Sequence, residues 1–226
     1  MNVFCRENLS AGRVLVLGGV LELFCSLGEV QQEPETAHGA VEQMQQVLDM
    51  LKSAKKPVVY AGGGCLDAAP ELKEFIERTG IPITNTLMGL GCYPASDELS
   101  LDMLGMHGAV YANYAIDSSD LLLAFGVRFD DRVTGKLEAF ASRASIVHID
   151  IDPAEIGKNK HAHAAIFSNI KPALRTLNGL IRADGATFDF SDWVADIGAQ
   201  REKFPFAYAD TSDSVSYTHL TLPTKA

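Results

Sequence analysis

The stretch Leu121–Gly135 reads LLLAFGVRFDDRVTG, and the passage from its first half to its second decides the fold. Leu121, Leu122, Leu123, Ala124 and Phe125 are apolar without alternation, which describes a strand buried on both faces. Four charges then fall within five residues, Arg128, Asp130, Asp131 and Arg132, and such groups are not buried without partners. A buried strand that stops in a charged loop marks the carboxyl edge of an open α/β sheet, where ligands bind. Arg128 and Arg132 can each grip a phosphate or carboxylate through two parallel hydrogen bonds. Asp130 and Asp131 either hold those arginines or accept from a ligand. The alternative is a solvated, salt-bridged loop with no ligand.

Outward from this segment the chain alternates helix and strand. Ala37, Ala40, Val41, Met44, Val47, Leu48 and Leu51 recur at three- and four-residue steps and predict an amphipathic helix. Pro57–Ala61 follows as a short apolar strand closed by Gly62-Gly63-Gly64. Asp67 is the expected N-cap of a helix with Leu72, Phe75 and Ile76 inward and Gly80 as its stop. Ile81–Leu87 predicts a second strand, Ala109–Ala115 a small-residue helix and Leu121–Val127 the strand already described. Ser145–Ile151 (SIVHIDI) is a further strand and Ala165–Phe167 an edge strand. A helix with Ala173, Leu174, Leu177, Leu180 and Ile181 inward comes next, and Asp189–Phe204 allows one more around Trp193 and Ile197. Apolar strands separated by helices imply a parallel sheet covered on both faces, a Rossmann-like doubly wound α/β domain.

Bulk properties narrow the partners. The chain has 226 residues, 47% hydrophobic and 21% charged, ordinary for a globular protein. A formal net charge of -10 argues against nucleic acid or an anionic membrane surface. The apolar run Val14–Cys25 contains Gly18, Gly19 and Glu22 and is too short for a bilayer. Cys5, Cys25, Cys65 and Cys92 show no CxxC or Cys/His spacing, so neither a disulfide framework nor a zinc site is expected.

Three further places carry chemistry. Gly62-Gly63-Gly64 lies between a strand and a helix, where phosphate can approach backbone amides, although the GxGxxG spacing is lacking and a structural turn explains it equally. Asp150 and Asp152 end a strand; one can accept from a ribose hydroxyl, while alternation on the strand opposes a shared metal. Gly105-Met106-His107-Gly108 is a loop able to lie against a flat ring, with an ordinary loop as the alternative. No nucleophile-and-base arrangement accompanies them, so the residues describe a binding module without a complete reaction centre.

Taken in order, KKPVVYAGGG, TNTLMGLG, LGMHG, DLLLAFGVRFDDRVTG and IVHIDID resemble the central domain of acetohydroxyacid synthase (acetolactate synthase), catalytic subunit, over about Pro34–Ile181. The resemblance implies a six-stranded parallel sheet that binds FAD, within an enzyme that condenses pyruvate with a second 2-keto acid such as 2-ketobutyrate toward branched-chain amino acids. It implies thiamine diphosphate and Mg2+ in the full enzyme, a homo-oligomer and a regulatory subunit. On the matching positions, FAD contacts fall on Gly62, Gly63, Gly64, Thr86, Leu87, Met106, His107, Gly108, Gly126, Val127, Arg128, Asp130, Asp150 and Ile151. Met106, Asp131 and Arg132 border the substrate and herbicide channel, with Arg132 as anchor for the second keto acid's carboxylate. No catalytic residue and no metal ligand is carried over.

Departures from the family pattern shape the domain assignment. Residues 1–33 form an unmatched extension, 34–183 the FAD-binding domain, 184–214 the start of a linker to a missing C-terminal domain, and 215–226 an artefactual tail. The family's thiamine-activating glutamate and its diphosphate- and Mg2+-holding motif have no counterpart, so a fragment unable to form acetolactate unaided is expected. Ser168-Asn169 stands where the family usually has Gly-Asp, which puts one cofactor contact in question. A stand-alone nucleotide-binding or regulatory module is the competing reading, and another thiamine-dependent decarboxylase a third. The compartment is a plastid for a plant or algal source and the cytoplasm for a bacterial one.

Overall fold

The computed structural model describes residues 37–205. The extension 1–33 and the tail 215–226 lie outside them, as do the side chains of Ala37, Ala40 and Val41 expected on the first helix face. The elements in chain order are α1 (Ala37–Ser53), β1 (Pro57–Ala61), α2 (Ala69–Thr79), β2 (Ile83–Asn85), β3 (Ser100–Met103), α3 (Val110–Ser118), β4 (Leu121–Phe125), α4 (Asp131–Thr134), β5 (Ser145–Asp150), β6 (Ala164–Phe167), α5 (Ile170–Asp184) and α6 (Ser191–Lys203). The six strands form one parallel sheet in the order β3-β2-β1-β4-β5-β6. This is the doubly wound α/β architecture.

The central strands β1 and β4 are buried at every position and pair from Pro57↔Leu121 to Ala61↔Phe125. Burying each of Leu122, Leu123 and Phe125 completely stabilises by about 2–3 kcal/mol. On α1 the inward face is Met44, Val47, Leu48 and Leu51; on α5 it is Ala173, Leu174, Leu177 and Ile181, with Leu180 only half-buried. Gly80 and Gly185 end α2 and α5 in the left-handed conformation, φ 68° and 67°, each donating back to the last turn. Asn169 N-caps α5 by accepting from Lys171 N–H at 3.2 Å, so the unusual Ser168-Asn169 pair has a local structural role.

Several boundaries differ from expectation. Asp67 does not cap α2: it lies exposed in a 3-10 turn, Gly63–Ala68, and Ala68 occupies the cap position without a side-chain bond. The expected strand Ile81–Leu87 is only Ile83–Asn85, because Thr86 turns the chain by accepting from Gly89 N–H at 2.9 Å. β4 stops at Phe125 rather than Val127, since Gly126 takes φ 60°. The small-residue helix runs Val110–Ser118, displaced from Ala109–Ala115.

β3 has no counterpart in the strand-by-strand reading. Its sequence SLDM mixes polarities, it pairs with one neighbour only, and its register slips between Ile83↔Ser100 and Asn85↔Met103. Within residues 184–214, α6 is seated on the domain: the Trp193 indole donates to Pro57 O at 3.1 Å and Tyr114 OH donates to Asp196. Lys56 reaches both the Trp193 ring, at 4.7 Å, and Asp196, at 3.3 Å. Among the described residues no helix is long and apolar enough to cross a membrane.

Candidate ligand site at the switch point

From β1 the chain winds outward through β2 to β3, crosses back to β4, and winds the other way through β5 to β6. The carboxyl ends of the adjacent strands β1 and β4 therefore lie at the point where the strand order reverses, the place where open α/β sheets take their ligands. The loops that follow them touch. Gly62 N–H donates to Phe125 O at 2.9 Å and Gly126 N–H to Ile149 O at 2.9 Å. A Cβ at Gly62 would overlap Gly126 O, one at Gly64 would lie 3.0 Å from Gly126 Cα, and one at Gly126 would lie 2.7 Å from Gly64 Cα. Three of the four glycines are thus required by loop-on-loop contact. Gly63 differs, because its nearest neighbour is the Met88 Cβ at 3.4 Å.

Other loops reach the same edge. Thr86 N–H donates to Ala61 O at 2.9 Å, and a Cβ on Gly89 would overlap that carbonyl. The LGMHG loop meets the charged loop, with Met106 N–H donating to Arg132 O at 3.1 Å and Gly105 leaving room for that oxygen. Gly108 serves the loop itself, its missing side chain accommodating Met103 O. Leu87 and Met88 follow β2, Met106 follows β3 and Ile151 follows β5, and each is more than 60% exposed. Four large apolar side chains presented to solvent along one sheet edge call for a covering ligand or surface.

The charged loop is not a salt-bridged mesh. Asp130 N-caps α4, its carboxylate accepting from Arg132 N–H at 3.1 Å. Asp131 and Arg132 approach to 3.8 Å but their side chains are 86% and 76% exposed, a geometry worth little. Arg128 is exposed and makes no ion pair with any described residue.

What turns the charges outward is Phe129, buried at 2% exposure with φ 47°. A left-handed conformation at an aromatic residue is held only by its surroundings. Here they are the Tyr60, Phe140 and His148 rings, at 6.0, 6.0 and 5.1 Å, and the Asn159 amide, which donates to Phe129 O at 3.0 Å. Sequence reasoning missed Phe129, His148 and Asn159 as supports. An aromatic inside a charged run and a histidine inside an apolar strand were the available signals.

His148 is wholly buried, its Nε2 2.9 Å from Val127 O. Burial pulls its pKa below the usual imidazole value, against the upward pull of that carbonyl and of Asp150 and Glu155. Asp150 is 7% exposed and accepts from Asp152 N–H at 2.8 Å, whereas Asp152 is exposed and caps the next turn at Ala154 N–H. The two aspartates do not converge. Burial, reinforced by Asp130, raises the pKa of the Tyr60 hydroxyl far above its ordinary value.

Two comparisons with known proteins agree with this geometry. Residues 44–177 match the family model of the thiamine pyrophosphate enzyme central domain, and the chain belongs to that family. More particularly, the chain is 53% identical to chloroplastic acetolactate synthase of Arabidopsis thaliana over 191 residues, 84% of the chain and 28% of that protein. It is 58% identical to chloroplastic acetolactate synthase 2 of Nicotiana tabacum over 174 residues, 76% of the chain and 26% of the relative. With chloroplastic acetolactate synthase 1 of Zea mays it shares 54% over 178 residues, 78% and 28% respectively. The chain spans less than a third of the length of these relatives.

Proposed function

We propose that this chain binds FAD along the carboxyl edge of its sheet and supplies one wall of the substrate channel of an acetolactate synthase. The observation that carries the reading is a single sheet edge that bears Gly63, the exposed Arg128 and the exposed Leu87, Met88, Met106 and Ile151 on either side of the switch point. The residues fit the group: the apolar side chains suit a flat ring system, Gly63 admits a close approach, and Arg128 suits a diphosphate. Asp150 ends β5, the position from which an acidic residue of such folds accepts from a ribose hydroxyl. FAD has no redox role in this family's reaction, so its part is to organise the loops.

Met106, Asp131 and Arg132 stand on joined loops and border the channel in this reading. Arg132 holds the carboxylate of the second 2-keto acid, the acceptor that condenses with pyruvate, and its largely exposed side chain is free to do so. Thiamine diphosphate with Mg2+ performs the carbon chemistry in the family, and the described residues do not fit as its holders: none of their His, Cys, Asp and Glu side chains form a group able to hold a metal ion. A homo-oligomer, a regulatory subunit and, for a plant or algal source, a plastid location belong to the same reading.

Titration of the full chain with FAD and with NAD, followed by flavin fluorescence and calorimetry, tests the cofactor. FAD is expected to bind at least tenfold more tightly; equal affinity favours the stand-alone nucleotide-binding module instead. Incubated with pyruvate, thiamine diphosphate, Mg2+ and FAD, the chain is expected to yield no acetolactate, and a measurable rate overturns that expectation.

A further inference from the structure

Cys65 and Cys92 are free and buried, at 0% and 3% exposure. Far apart in sequence, they occupy equivalent places in two adjoining turns. Cys65 N–H donates to Gly62 O at 3.0 Å, and Cys92 N–H donates to Gly89 O at 3.1 Å. The two turns are in backbone contact, since a Cβ on Gly89 would sit 3.1 Å from the Gly62 carbonyl carbon. Each thiol is also anchored beside the same residue. Cys65 Sγ lies 3.2 Å from Phe125 O and Cys92 Sγ 3.3 Å from Asn85 Oδ1, and Phe125 and Asn85 flank Ala61 in register on either side.

The two thiols lie close enough to shift one another's ionisation. Hydrogen bonding between them and burial push the Cys65 thiol well up, while acceptance from Cys65 pulls the Cys92 thiol down.

We propose that Cys65 and Cys92 are a reversible dithiol–disulfide pair that locks the turns after β1 and β2 together when oxidised. The oxidant is a small hydroperoxide, because burial of both sulfurs excludes a protein disulfide. The thiolate of one cysteine attacks the O–O bond, an S–O bond forms, and the released hydroxide takes a proton to leave as water. The sulfur of the other then displaces hydroxide from the sulfenic acid, forming the S–S bond and a second water. Two thiols and one peroxide become one disulfide and two waters, the sulfurs together losing two electrons to the peroxide oxygens.

The full chain, reduced and then treated with one equivalent of hydrogen peroxide, is mapped by peptide mass without reduction and melted in parallel. A peptide linking Cys65 to Cys92 is expected, with Tm raised by about 5–10 °C and restored by dithiothreitol. In C92S the linked peptide and the Tm rise both disappear. Free thiols at both positions after peroxide, oxidation ending as sulfinic acid on one of them, or a Tm rise persisting in C92S overturns the proposal.

Discussion

After β1 the chain turns through Gly62-Gly63-Gly64, and after β4 through Arg128, Phe129 and Asp130, yet the two loops meet where Gly62 and Gly64 pack on Gly126. The glycine loop is tight because backbone meets backbone; side chains are absent there so that the loops can touch. The charged loop is the opposite, with its backbone pinned by one buried aromatic and its charges left in solvent. A glycine run beside a strand is easily read as a phosphate cradle. Here two of its three positions are explained by packing, and in the proposed reading only Gly63 and the charged loop are left to a ligand.

The largest effect that tests this contrast belongs to Gly62→Ala. Overlap with Gly126 O is expected to cost about 3 kcal/mol or more, read as a lost or strongly lowered melting transition. Gly63→Ala is its control: contact at 3.4 Å leaves Tm within a few degrees, while FAD affinity falls. Equal destabilisation by the two substitutions breaks the division between packing and binding glycines.

On the charged side, Arg128→Ala is expected to weaken FAD binding about tenfold with Tm unchanged, because the residue is exposed and makes no ion pair with a described residue. A fall in Tm with no change in affinity would reassign the residue to structure. Asp130→Ala removes the cap of α4 and is expected to cost about 1 kcal/mol in denaturant unfolding. Asp131→Asn, which breaks only an exposed pair, is expected to change stability by less than about 0.5 kcal/mol.

The aromatic support beneath the charged loop carries a pH signature. His148 has a folded-state pKa below the ordinary 6.5, so between those values the unfolded chain binds more protons than the folded one. Its contribution is complete above about pH 6.5 and declines as pH falls toward the folded value. Melting temperatures between about pH 7.5 and 5.5 are expected to fall less steeply in His148→Gln than in the parent protein.

Much of the architecture was legible because burial on both faces leaves its mark in composition. The runs at Pro57–Ala61, Leu121–Phe125 and Ser145–Asp150 are strands where expected, and Gly80 stops α2 as its position predicts. The edge strand β3 was not legible, since a strand paired on one side needs no apolar run and Asp102 even sits at φ 58°. The cap of α2 was misplaced for a related reason: Asp67 lies within a 3-10 turn that starts where Gly62 packs on Gly126.

Local chemistry was therefore enough for the sheet, the flanking helices and the charged, glycine-rich character of one sheet edge, because hydrophobic runs and stop signals act within a few residues of themselves. Partnership between distant residues was beyond it. That Gly62 faces Gly126, that Phe129 folds inward between Tyr60 and His148, and that Cys65 and Cys92 come side by side follow from strand order and register. Those contacts join segments far apart in sequence, and only the assembled sheet brings them together.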